Sequence, residues 1–264
     1  FRDVEEGTWY HSIEIETLVK AGADEAELVQ TLKNIVDATG PRSNPDQPDT
    51  VVAYGAGNWA YEFTAAGDAA VEREDYAAAV TYYHTGAAPH TGAPGQAKAL
   101  EKARDAYEEA MEDISDYEEV EIDFDGREFT AYLHVPQGKG PFPVLVMSNG
   151  SDMSSVTTLD YYTQSLMPKG IALLTIDVPG LGSSSEYTVA DGNTEKLHVA
   201  AINWAKDDDR LDNNNVFMQG ISFAGNAAAR IWTQHQDLDL AGVVYTCGPL
   251  NAAFMAPSQA YAHF

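Results

Sequence analysis

The sequence of 264 residues predicts an α/β fold with an N-terminal helical region, and three observations lead to this prediction. Apolar residues recur at helical spacing over most of residues 1–117. Two runs that alternate apolar with polar residues then flank an Asp-Gly pair, which is typical of an antiparallel hairpin. Short and almost wholly apolar runs follow, as in parallel strands covered on both faces. We therefore expect a helical region at 1–117 and a mixed sheet at 118–264.

Helical periodicity divides the first region into several elements. Residues 41–49 contain three prolines and no helical period, so a loop is expected there. In the last stretch, Leu100, Ala103 and Tyr107 share one apolar stripe. The predicted helical stretches are 13–21, 24–37, 58–70, 76–85 and 97–111.

The second region predicts a sheet that begins with an antiparallel hairpin, turns parallel and is truncated after its sixth strand. Helical stretches at 156–168 and 194–205 have the spacing of crossover connections between parallel strands. No seventh strand is visible, so one edge of the sheet would be open to pairing. The predicted strands are 119–124, 129–135, 143–147, 171–176, 216–218 and 242–245.

Composition restricts the partners and the compartment. The 15 basic and 41 acidic residues give a net charge of −26, which disfavours nucleic acid and anionic membrane surfaces as partners. No apolar run approaches the roughly 18 residues of a membrane span. Cys247 is the single cysteine, and the first ten residues do not resemble a signal peptide. A cytoplasmic location is therefore expected.

The segment Gly220-Ile221-Ser222-Phe223-Ala224-Gly225 lies between a predicted strand and the helical run 226–232. It matches the pattern G-x-S-x-G except that Ala224 replaces the last glycine. In such a turn the serine is a nucleophile, and the residues two before and two after it are small because larger side chains would collide. Ser222 is therefore the candidate nucleophile. The alternative is that Ser222 only caps a crossover helix.

The N-terminus of the following helix and two sheet-edge loops would surround this serine. The N–H of Phe223 at the helix N-terminus can stabilise an oxyanion. Small residues in the loop 148–152, after the third strand, would let further amides point at a substrate oxygen, although the Asn149-Gly150 pair is also typical of an ordinary turn. The loop 177–183, after the fourth strand, lacks the lysine of a phosphate-binding loop and is expected to form a tight turn in the pocket wall.

A family resemblance rests on three segments, which are residues 57–62 (GNWAYE), the turn at 177–185 and the Ser222 turn. They resemble the FrsA-like group of α/β-hydrolases, which takes its name from a fermentation–respiration switch protein, over roughly residues 50–250. The resemblance implies an α/β-hydrolase sheet, a helical lid formed by the N-terminal region and a nucleophile at Ser222. It also implies that Phe223 supplies one oxyanion N–H and that Gly150 or Ser151 supplies the other.

A serine hydrolase also needs a histidine base and an acid, which follow the serine in this fold. His235 belongs to the helix after Ser222 or its end, and His263 has no strand before it. Neither position suits a base. We therefore expect the acid and base beyond Phe264, in a continuation of the chain or in a separate chain that supplies the remainder. The protein partners considered are a second copy in a homodimer or a C-terminal fragment that completes the sheet.

These observations predict a serine hydrolase that cleaves an ester or an activated carbon–carbon bond next to a ketone. The substrate is expected to be a small hydrophobic acyl or polyketide-like compound, as the resemblance implies. The alternative is a non-catalytic regulatory or interaction protein on a hydrolase scaffold. No organic cofactor is expected, because no crossover and second strand follow Gly55-Ala56-Gly57 at dinucleotide-binding distance. No metal is expected either, since His84 and His90 lack further ligands at zinc spacing.

Overall fold

The computed structural model describes residues 15–39, 54–88, 92–112, 114–190 and 193–248. They belong to two compact units, Phe1–Met111 and Glu112–Phe264, and the boundary expected near 117 falls inside the first strand of the second unit. The loop predicted at 41–49, together with His90 and His263, lies outside the described residues.

The described part of the first unit is helical. Trp59, Phe63, Tyr82 and Tyr107 are fully buried in it, and the indole N–H of Trp59 donates a 2.7 Å hydrogen bond to the Thr85 carbonyl. None of the described helices combines the length and the apolar character that crossing a membrane requires. The helices are α1 (Ile15–Lys20), α2 (Glu25–Thr39), α3 (Trp59–Glu72), α4 (Tyr76–Ala87) and α5 (Pro94–Met111).

The second unit contains a six-stranded mixed sheet in the order β1-β2-β4-β3-β5-β6. The pairs β1–β2 and β2–β4 are antiparallel, and β4–β3, β3–β5 and β5–β6 are parallel. The predicted α/β sheet, antiparallel at its start and then parallel, is confirmed. The strands are β1 (Asp116–Phe124), β2 (Arg127–Val135), β3 (Phe142–Ser148), β4 (Ala172–Thr175), β5 (Leu211–Ile221) and β6 (Gly242–Thr246).

The β1–β2 connection is the two-residue turn that its Asp-Gly pair predicts. Asp125 and Gly126 both have positive φ, at +53° and +76°, and Phe124 pairs with Arg127 across the turn. A turn with two positive φ values matches the right-handed twist of the flanking strands, and Asp-Gly tolerates it well.

Two helices, α6 (Lys196–Asp207) and α7 (Phe223–Gln234), pack on one face of the sheet. Their Ala201, Ile202 and Ala228 side chains share a core with strand residues such as Val146 and Met218. The alternation of side chains along a strand places these apolar groups on the same face.

The regular helix predicted over 156–168 is wrong. This segment consists of the 3₁₀ turn Ser155–Thr158, the α turn Leu159–Tyr161, the π turn Tyr162–Leu166 and the 3₁₀ turn Met167–Lys169. Hydroxyl groups compete for its carbonyls, since Thr158 donates to Ser155 at 2.7 Å and Thr163 donates to Leu159 at 2.9 Å. Pro168 also lacks the N–H that a regular helix needs.

Strand β6 lies at one edge of the described sheet, where it pairs with β5 alone among the described strands. Its Val244 and Tyr245 side chains are 48% and 42% exposed. Exposed apolar residues on an edge strand offer a surface for pairing with a further strand.

Candidate active site

Ser222 stands alone between the last residue of β5 and the first residue of α7. Its backbone has φ +51° and ψ −118°, a conformation that L-residues seldom adopt and that costs about 1–3 kcal/mol. The strand turns into the helix within one residue, and α7 begins at Phe223 rather than near the predicted residue 226. Ser222 is therefore held in a strained strand-to-helix turn.

Small residues around Ser222 make this turn possible. A Cβ atom at Gly220 would lie 2.2 Å from the Ala224 carbonyl oxygen and 2.9 Å from the Ala228 Cβ. Ala224 itself is only 1% exposed. The packing thus explains why the sequence has glycine two residues before the serine and alanine two residues after it.

The Ser222 backbone is bonded on both sides. Its N–H donates to the Thr246 carbonyl at 2.9 Å, and its carbonyl accepts from the Gly225 N–H at 2.9 Å. Phe223 is the first residue of α7, so its N–H has no partner within the helix and points out of the positive helix end. The Ser222 side chain is half-buried at this helix end.

The loop after β3 places Gly150 directly against Ser222. A Cβ atom at Gly150 would lie 2.8 Å from the Ser222 Cβ and 3.0 Å from its Oγ. Gly150 is buried, whereas Ser151 is exposed and follows it on the loop. The structure therefore brings Ser222, Phe223 and Gly150 together, with Ser151 next in the chain.

Two buried polar side chains fix the loop that carries Gly150. The Asn149 amide donates to the Ser154 carbonyl and to the Thr157 hydroxyl at 3.3 and 3.2 Å. The Asp177 carboxylate, at the carboxyl end of β4, accepts from the N–H and hydroxyl of Ser155 at 2.7 and 2.9 Å. The Asn149-Gly150 pair is therefore part of a bonded loop at the sheet edge rather than an isolated surface turn.

Asp177 also holds the loop after its own strand, a role that sequence reasoning missed. Its second oxygen accepts from the Ser183 N–H at 2.9 Å and from the Ser183 hydroxyl at 3.3 Å. Val178 and Leu181 of this loop form a small apolar cluster with Ala224, against which Phe223 packs. A carboxylate that directly follows an apolar strand was the signal that could have indicated this role.

None of the histidines in the described part of the second unit lies at the Ser222 turn. Burial lowers the pKa of His134 on β2 to about 3, and that ring packs against Tyr162. Burial also lowers the pKa of His198 on α6 to about 4, despite the nearby Glu195 charge. His235 follows α7, with its Nε2 3.9 Å from Glu195.

Glu195 is the acid that these helices share. Arg230 donates to both of its oxygens, at 2.6 and 3.0 Å, so the pair joins the start of α6 to α7. Burial raises the Glu195 pKa, but the bonds from Arg230 and from the backbone N–H of Glu195 itself outweigh burial and leave the pKa below its usual value. This carboxylate is therefore engaged in an ion pair.

Metal ligands do not cluster in the part of the chain that the structure describes, where no group of three or more His, Cys, Asp or Glu side chains is placed to hold an ion. Cys247 is exposed just after β6.

Comparison with known proteins extends these observations. A family model described as "Esterase FrsA-like" matches residues 2–258. The chain belongs to this family. It is 31% identical to an "Esterase FrsA" of Salmonella typhi over 95% of its own length, and 30% identical to one of Photobacterium profundum over 86%. The chain spans 63% and 58% of the lengths of these two relatives.

Solved structures show the same fold. The structure named "AbyA5 Wildtype" superposes with a TM-score of 0.63 at 23% identity, covering 88% of this chain and 65% of that one. A 2,6-dihydroxy-pseudo-oxynicotine hydrolase superposes with a TM-score of 0.55 at 21% identity, covering 80% and 60%. The α/β-hydrolase fold and the FrsA-like resemblance are thus confirmed.

Proposed function

We propose that this FrsA-like chain is a serine hydrolase in which Ser222 attacks a substrate carbonyl. The observation that carries the proposal is the position of Ser222 in a strained turn at the start of α7, directly opposite Gly150. A side chain in this position is presented at a positive helix end, as the nucleophile of an α/β-hydrolase requires.

The proposed oxyanion hole consists of the Phe223 N–H and an N–H of Gly150 or Ser151. Phe223 supports this role because its N–H lies in the first turn of α7. Gly150 supports it because the missing side chain leaves room beside the Ser222 hydroxyl. Donors in such holes contribute roughly 3–4 kcal/mol each to stabilisation of the transition state.

Attack by Ser222 needs a base to accept its proton. In the described part of the second unit, His134 lies on β2, His198 lies buried on α6 and His235 follows α7. We propose that a segment pairing with the exposed edge of β6 supplies the histidine and its acid. The greater length of the relatives and the exposed Val244 and Tyr245 support this proposal. The segment belongs to the same polypeptide or to a separate chain.

The proposed substrate is a small hydrophobic acyl or polyketide-like compound with an ester, or with an activated carbon–carbon bond next to a ketone. The apolar contact of Val178 and Leu181 with Ala224 and Phe223 supports a hydrophobic surrounding for the reacting carbonyl. Hydrolysis of nitrophenyl acyl esters and of β-diketones by the same preparation distinguishes the two bond types.

Reaction with a fluorophosphonate probe tests the nucleophile. With the segment that pairs with β6 present, we expect one probe per chain to bind to Ser222, and Ser222→Ala to abolish the labelling while the circular dichroism spectrum is unchanged. Ser151→Ala serves as a matched control, since it removes a neighbouring hydroxyl and keeps the backbone donors.

A second candidate is a non-catalytic interaction protein on the hydrolase scaffold. The absence of a histidine at the Ser222 turn among the described residues of the second unit favours it. A folded chain that no fluorophosphonate labels, in the presence of the segment that pairs with β6, would support this candidate and contradict the hydrolase.

A further inference from the structure

A carboxylate stands next to the proposed nucleophile. The position of a Cβ atom at Gly150 lies 2.8 Å from Asp152 Oδ1 and 3.0 Å from Ser222 Oγ. The two oxygens are therefore within about 6 Å of each other, a separation at which a charge influences a reacting group. Asp152 is exposed, so its carboxylate faces the solvent from which a substrate arrives.

Hydrogen bonds on both sides of Asp152 hold the loop that carries it. Asn149 bonds to Ser154 and Thr157, and Ser155 bonds through its N–H and hydroxyl to the buried Asp177. Asp152 lies between these anchored positions. The backbone that carries this charge is therefore anchored on both sides.

The position of this charge has an electrostatic consequence for the proposed reaction. An oxyanion that forms beside Ser222 gains from the Phe223 N–H and the α7 N-terminus, but the Asp152 carboxylate opposes it. A cationic group on the substrate would neutralise Asp152 and remove this opposition. An anionic group in the same place would add a second repulsion.

We propose that Asp152 is a specificity-determining residue that favours substrates with a cationic group close to the reacting carbonyl. The inference rests on the proposed function of Ser222 and adds the charge class of the substrate. Asp152 thus determines which substrates react, whereas Ser222 forms the covalent bond to the substrate carbonyl.

Three phosphonate probes with the same leaving group test this inference on the protein with the segment that pairs with β6 present. One carries a quaternary ammonium group, one a neutral alkyl group of similar size and one a carboxylate. At low salt we expect the second-order labelling rate to fall from cationic to neutral to anionic probe, by roughly 3-fold to 10-fold at each step. These differences in labelling rate between the probes should become smaller at 0.5 M salt, because ions screen an exposed charge.

The variant Asp152→Asn should bring the three rates within about 2-fold of one another, because it removes the charge and keeps the side-chain shape. Asp152→Glu keeps the charge, so the labelling rates should again fall from the cationic to the neutral to the anionic probe. Asp209→Asn is the matched control, since this exposed carboxylate precedes β5 at its opposite end from Ser222. It should leave the order unchanged.

The remaining outcomes contradict the inference. If Asp152→Asn keeps the wild-type order, or if Asp209→Asn abolishes it, the inference is wrong although Ser222 still reacts. If none of the three probes labels Ser222 in the wild-type protein with the base-supplying segment present, the proposed function fails and this inference fails with it.

Discussion

Gly150 and Ser222 face each other so closely that a methyl group at Gly150 would lie 2.8 Å from the serine Cβ. The two residues come from different strand ends, since Gly150 follows β3 and Ser222 follows β5, and these strands pair in parallel. The sheet therefore sets the distance between the proposed nucleophile and the proposed oxyanion loop.

Gly150→Ala should reduce the fluorophosphonate labelling rate by about 100-fold, because the added methyl group displaces the loop or the serine by a fraction of an ångström to an ångström. Gly170→Ala is the control. Gly170 has φ +67° with no neighbouring atom within 4 Å of the added Cβ, so its substitution should cost about 1 kcal/mol of stability and leave labelling unchanged. Equal labelling rates in the two variants would argue against an oxyanion role for this loop.

Gly220→Ala should lower the free energy of unfolding by about 2–3 kcal/mol, since its Cβ would overlap the Ala224 carbonyl and force the turn apart. Urea denaturation measures the effect. Gly242→Ala, in the neighbouring strand β6, provides the comparison. Its Cβ would meet only the Phe217 ring at 3.3 Å, so we expect a loss below about 1 kcal/mol. A small effect at Gly220 would mean that the turn has room for a methyl group.

Asp177→Ala should lower the free energy of unfolding by about 2–4 kcal/mol, because it removes the acceptor of the buried Ser155 N–H and hydroxyl and of the half-buried Ser183 N–H. Labelling of Ser222 should slow as well, since the loop that carries Gly150 loses its anchor. Ser183→Ala removes only a hydroxyl and keeps the Ser183 N–H bond, so its effect should be smaller in both measurements. The reverse order of the two variants would refute the bridging role of Asp177.

His198→Leu should make the stability of the protein less sensitive to acid. Burial lowers the pKa of His198 from 6.5 to about 4, so the unfolded chain binds a proton at a higher pH than the folded one. The wild-type contribution is present above pH 6.5 and is lost as the pH falls from about 6.5 to about 4, by up to about 3 kcal/mol.

Urea denaturation of wild type and His198→Leu at pH 7 and pH 5 measures this difference. We expect the difference in unfolding free energy between the two pH values to be smaller in the variant. Because both proteins carry the same excess of acidic residues, the general effect of pH on charge repulsion cancels in the comparison. Parallel pH profiles would show that the ring is accessible to protons in the folded state.

Much of the second unit could be predicted because each pattern has one dominant cause. The Asp125-Gly126 pair permits two positive φ values, and the apolar runs at β3 and β4 can be buried only in a covered sheet. Strand β5 was predicted too short, because residues 213–215 are exposed asparagines that carry no strand pattern.

The candidate site could be predicted only in part. Ser222 and Gly150 stand out because tight turns require small residues, a constraint that is visible in the sequence. Asp177 and Asp152 did not stand out among 41 acidic residues, since their roles depend on which loops the sheet brings beside them. The irregular turns of 155–169 also result from hydroxyl-to-carbonyl bonds that compete with helical periodicity.

The shared anchor at Asp177 has an evolutionary consequence. One carboxylate binds Ser155 with one oxygen and Ser183 with the other. A substitution that shifts one of these loops therefore also affects the position of the other loop. Homologues that adapt to new compounds should therefore remodel the exposed tips of the two loops and inherit both serines together. Where one serine has been replaced, we expect a compensating donor in the same lineage.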